Sequence, residues 1–65
     1  MKTYEVTVVS DNWIKTHTAV TDIELHEGVL ILRTKIPAAP YFEIGYNVAK
    51  LVSWDTKEQT FTVGN

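Results

Sequence analysis

The chain has 65 residues, eight acids against six bases for a net charge of −2, and no cysteine. A domain this short buries only about 60% of its unfolded surface, and neither a disulfide nor a thiolate–metal site can reinforce it. The mildly acidic balance disfavours a general nucleic-acid binder, which needs clustered bases to neutralise phosphates, and the apolar run Val29–Leu32 is far too short to cross a bilayer as a helix.

The first strand is expected from Lys2 to Val9. Tyr4-Glu5-Val6-Thr7-Val8 alternates apolar with polar, and successive side chains of a strand point to opposite faces. Met1-Lys2 leads straight into this strand rather than into an apolar signal-peptide segment, so a cytoplasmic location is the default expectation. Ser10-Asp11-Asn12 ends the strand, because these side chains hydrogen-bond nearby backbone and favour turns.

A long second strand is expected from Trp13 to Leu25, and its facing is contradictory. Ile23 and Leu25 share the parity of Trp13 and Ala19, but that parity also turns Lys15 and His17 inward. The opposite set, Ile14 and Val20, brings Asp22, Glu24 and His26. An extra residue or a sharp bend between about Val20 and Ile23 resolves the conflict, since one inserted residue flips every facing beyond it. Bent strands of this kind curl small sheets.

His26-Glu27-Gly28 reads as a tight three-residue turn with Gly28 at positive φ. Strand three, Val29 to Ile36, opens with four large apolar residues and is expected to be central and covered on both faces. Ile36-Pro37-Ala38-Ala39-Pro40-Tyr41 is the one clear loop, its prolines pushing Ile36 and Ala39 toward extended backbone. Tyr41–Tyr46 returns to strand, with Gly45 marking a bulge or a close approach. Asn47–Trp54 fits both a helical turn capped by Asn47 and a strand. The strand is favoured, because a hairpin across Asp55-Thr56-Lys57-Glu58 would then reach a last strand at Gln59-Thr60-Phe61-Thr62-Val63. Residues 1–65 therefore make a single small all-β domain, a five-stranded antiparallel bent sheet or barrel with room for one short helical turn.

Candidate chemistry is sparse. Asp22, Glu24 and His26 share one strand face, and such a set could hold a divalent metal. Next-but-one positions lie about 6.6–7 Å apart, which favours a solvated outer face, so no metal site is assigned. His17 has no serine or aspartate at a motif-like offset and is placed half-exposed at the strand bend. Gly28, Gly45 and Gly64 are isolated, whereas phosphate and dinucleotide cradles need clustered glycines, so no cofactor is expected. A small-molecule site of about 300–1,000 Å³ would hollow out most of this core, and no catalytic residue is assigned.

The aromatics are in surplus. Trp13, Tyr41, Phe42, Tyr46 and Trp54 exceed what one face of so small a sheet hides, and aromatics are enriched where proteins bind one another. Trp13, Pro37, Pro40, Tyr41, Phe42 and Trp54 are the candidate partner-binding residues, with the Pro37–Pro40 loop the first place to look.

The bent segment Trp13–Leu25, the turn His26-Glu27-Gly28, the strand Val29-Leu30-Ile31-Leu32 and the stretch Tyr46-Asn47-Val48-Ala49-Lys50-Leu51-Val52 follow an order that resembles small SH3-like barrels, including the Sm-like family. The resemblance is one of pattern, without a diagnostic motif; the chain opens in a strand where the Sm-like family leads with a helix. It also lacks that family's basic RNA-contacting residues, and no functional residue is carried over.

The leading expectation is a non-catalytic protein-interaction module, self-associating, that acts as an accessory or inhibitor protein of a phage or mobile element. The alternative is an oligomeric binder of single-stranded nucleic acid that stacks bases on its aromatics and meets phosphates with Arg33 and Lys35.

Overall fold

A computed structural model describes residues 2–37 and 40–60, the side chain of Thr60 excepted. Six strands alternate with short turns: β1 (Lys2–Val9), β2 (Ile14–Val20), β3 (Asp22–His26), β4 (Val29–Thr34), β5 (Phe42–Asn47) and β6 (Ser53–Thr60). One 3-10 turn, Val48–Lys50, precedes β6. The strands form two antiparallel sheets of three, ordered β2-β1-β6 and β3-β4-β5. Phe61, Thr62 and Val63, expected in the last strand, and Ala39, expected to be extended, lie outside the described residues.

The expected all-β domain is present, but among the described residues it has six strands rather than five and no closed barrel. The extra strand arises because the long second strand divides at Thr21. Tyr4 faces Val20 and Val6 faces His17, so Thr18 and Ala19 together oppose Glu5. Ala19 takes the left-handed conformation, φ 59°, that accommodates the additional residue. The irregularity therefore begins slightly earlier than the expected Val20–Ile23 window. Beyond Thr21 the chain leaves β1 and pairs with β4, starting at Asp22 opposite Arg33. Thr21 secures the crossing: its N–H donates to the Arg33 carbonyl at 2.8 Å, and its hydroxyl accepts from the Lys35 N–H at 3.0 Å.

Ala19 supplies a direct test. A left-handed L-residue costs about 1–2 kcal/mol, which exceeds the entropy penalty of glycine in a strand. Ala19→Gly is expected to stabilise the domain by about 0.5–1 kcal/mol, read as a rise of a few degrees in Tm. An unchanged or lower Tm would show that the bulge is not strained at this position.

The sheets pack around Val6, Val8, Val20, Leu30, Leu32 and Tyr46, with Tyr4, Trp13, Ile44, Val48 and Leu51 partly buried against them. Ile23 and Leu25 are in register with Leu32 and Leu30, so they do lie on the core-facing side. Yet they stay 38% and 60% exposed, because β3 packs extensively against β4 alone. Strand β4 is central in its sheet but covered on one face only: Leu30 and Leu32 are buried, Ile31 is half-buried and Val29 is exposed.

Three local expectations change. The β3–β4 turn has two residues, Glu27 and Gly28, both at positive φ, and His26 pairs directly with Val29. Of the two readings of Gly45, the bulge is absent, since its register with Ile31 is regular, and the close approach is present, made by a side chain: a Cβ would stand 3.1 Å from Val29 Cγ1. Asn47–Trp54 is not a continuous strand. Asn47 Oδ1 accepts the Ala49 N–H at 3.1 Å and caps the 3-10 turn, and Asp55–Glu58 continues β6 rather than forming a hairpin. The pairs Thr7–Asp55 and Glu5–Lys57 hold that segment straight against β1.

Candidate interaction surface

The bulge at Ala19 has a consequence for side chains far from it. It lets Trp13, Lys15 and His17 share a face with Val20, so the odd-numbered residues of β2 and its approach turn toward β5. There they meet Phe42 and Tyr46, which alternate with Ile44 on the same side of β5. His17 lies with its ring 5.7 Å from Tyr46 and 6.1 Å from Phe42, and Trp13 stands 5.8 Å from Tyr46. The Lys15 ammonium sits 5.5 Å above the Trp13 ring, within reach of a cation–π contact. These side chains tie the two sheets together.

The His17 Nε2 and the Tyr46 hydroxyl are hydrogen-bonded to each other at 2.5 Å. Burial pushes the Tyr46 phenol up from its ordinary pKa. Burial, and then the charge of Lys15, lowers the His17 pKa. A histidine with a depressed folded pKa binds fewer protons folded than unfolded, so acid favours the unfolded chain. The His17 contribution is thus complete above the unfolded pKa of about 6.5 and is lost progressively as pH falls below it. Tm is expected to drop on acidification through that range, and His17→Gln to flatten this part of the profile. Identical profiles in the two proteins would remove His17 as the cause.

Of the sequence-predicted partner-binding residues, Pro37, Pro40, Tyr41 and Phe42 are all exposed around one corner, the entrance to β5. Tyr41 is 59% and Phe42 47% exposed, and His17 backs Phe42 from below. Trp13 is half-buried and packs on Tyr46, so it supports the corner rather than extending it. Trp54 is 37% exposed in the other sheet, on β6 opposite Val8. Sequence reasoning missed the His17–Tyr46 pair as the corner's foundation. Its signal was the inward parity of His17, which looked like a conflict until the bulge gave it a partner.

The remaining candidates lie on the outer face of β3 and β4. Arg33 joins two strands by donating from Nε to Glu43 at 2.7 Å and from Nη1 to Glu24 at 3.1 Å. These bonds raise its pKa and keep it charged. Lys35 lies 3.6 Å from Asp22, and His26 lies 3.9 Å from Glu27. Among the described residues, Asp22, Glu24 and His26 thus face different neighbours, and no three metal-binding side chains converge. No protein-family model, curated protein or solved structure matches this chain.

Proposed function

We propose that this chain is a non-catalytic protein-binding module that engages its partner through the corner formed by Tyr41, Phe42 and the flanking prolines. One observation carries the reading: two adjacent aromatic side chains stay about half exposed, and beneath Phe42 lies His17, which itself packs on Tyr46. Rigid aromatics bury large area on binding at little entropic cost, which is what an interface anchor needs. Pro40 fixes its own φ immediately before Tyr41, which lowers the cost of ordering the approach to the corner. The strand order and the 3-10 turn before β6 are compatible with an opened SH3-like arrangement.

The nucleic-acid alternative draws less support. Arg33 and Lys35, the bases it needs, are each ion-paired to carboxylates, so phosphate would have to displace Glu24, Glu43 and Asp22.

Affinity capture on the immobilised protein, with and without nuclease, tests the proposal against the variant Tyr41→Ser/Phe42→Ser. The expected result is a nuclease-resistant protein partner retained by the wild type and lost by the folded double variant. Equal retention by both would remove the aromatic corner from the account, and loss on nuclease treatment would favour nucleic acid.

A further inference from the structure

Strand β3 is exposed at nearly every residue and forms one edge of its sheet. Among the described residues no strand pairs with its outer side, and Leu25 and Ile23 project uncovered from the core-facing side. Soluble proteins usually guard such an edge with lysine, proline or a bulge, because its unpaired backbone groups invite another strand. Strand β6, one edge of the other sheet, carries such a guard in Lys57, whereas β3 has charged side chains but neither lysine nor proline. Asp22-Ile23-Glu24-Leu25-His26 instead has a self-complementary pattern. Read in opposite directions, apolar meets apolar, and the acid at one end meets the imidazole at the other.

We propose that β3 is the seam of a homodimer, in which two copies pair antiparallel about a two-fold axis at Glu24. Ile23 then faces the second copy's Leu25 on the core side, extending the apolar layer over Leu30 and Leu32 of both copies. On the outer side, Asp22 faces the second copy's His26, and the two Glu24 carboxylates meet at the axis. Direct opposition of like charges is unfavourable, but each Glu24 already holds an Arg33 guanidinium at 3.1 Å, which offsets the repulsion. A recess of about 500 Å³ lies beside β3, lined by Tyr4, Thr21, Asp22, Ile23, Glu24 and Arg33. Each copy presents the same surface to the other, as a closed two-fold interface requires, and the two three-stranded sheets become one.

Five residues make a short seam, so the dimer belongs to the weak, small-interface class. The inference goes beyond the protein-binding reading: it adds a second copy of the chain at a surface distinct from the Tyr41–Phe42 corner.

Two measurements test it. Sedimentation equilibrium of the wild type from about 10 to 500 µM, a range suited to small interfaces, is expected to show mass rising from monomer toward dimer. Leu25→Lys should remain monomeric with an unchanged circular-dichroism spectrum. Because the chain has no native cysteine, Glu24→Cys introduces a single thiol at the axis. Cβ atoms of directly opposed antiparallel residues lie about 4.5–5.5 Å apart, close to disulfide reach. Mild oxidation should therefore give a covalent dimer of Glu24→Cys several times faster than of Lys57→Cys on β6. A wild type that stays monomeric throughout overturns the seam. So does a dimer that survives Leu25→Lys and cross-links no faster at position 24 than at 57. In both cases partner capture by the Tyr41–Phe42 corner still decides the protein-binding reading on its own terms.

Discussion

Leu30→Ala is expected to leave the domain unfolded at room temperature. Leu30 is 1% exposed, sits in the central strand of its sheet, and belongs to a core of only six buried hydrophobic residues among those described. Deleting a buried leucine side chain costs about 2–5 kcal/mol. A domain of this size without a disulfide holds only about 3–5 kcal/mol in total, so the loss is comparable with the whole. Leu25 makes the matched control, because it faces Leu30 across the β3–β4 ladder yet is 60% exposed. Leu25→Ala, compared at a concentration low enough for the chain to be monomeric, should shift stability by less than about 0.5 kcal/mol. Far-ultraviolet circular dichroism of both variants reads the contrast. A cooperative, near-wild-type melt for Leu30→Ala would mean that the two sheets do not depend on this core.

Tyr46 should behave in two distinct ways according to what is removed. Its ring touches both Trp13 and His17, and its hydroxyl bonds His17, so one residue joins β5 to the approach and body of β2. Tyr46→Ala removes the ring and should cost about 3–5 kcal/mol, again unfolding the chain. Tyr46→Phe keeps the packing and leaves only the His17 nitrogen without its partner, a loss of about 0.5–1.5 kcal/mol. The phenylalanine variant should therefore fold, with a lowered Tm and with Phe42 still held in place. Chemical denaturation of the pair measures both effects. Equal losses would assign the stabilisation to the hydroxyl, and a harmless alanine would deny Tyr46 any role in joining the sheets.

The strands were largely legible because period-two alternation survives wherever a sheet has one wet face. Tyr4 to Val8 and Phe42 to Tyr46 read correctly for that reason. The second strand was harder. Its contradictory parity pointed to an irregularity, but locating this at Ala19 required the register of β1, because alanine carries no signature of a left-handed backbone. Asp55–Glu58 resembled a turn by composition, and pairing with β1 overrode that preference. At the candidate surface, Tyr41 and Phe42 were found from their neighbouring prolines, a local cue. The His17–Tyr46 contact joins residues 29 positions apart: the inward parity of His17 signals that it needs a partner, but nothing local names Tyr46. Arg33 was read as a base for phosphate, because the carboxylates that engage it come from two other strands.

The most direct test of the central claim is the solution mass of freshly purified protein, by size-exclusion light scattering with absorbance at both 260 and 280 nm. A module that binds proteins, its own copy included, predicts a mass and an absorbance ratio accounted for by this chain alone, with mass rising as concentration increases. Excess absorbance at 260 nm that disappears with nuclease, together with a fall in mass, would contradict it and identify nucleic acid as the ligand.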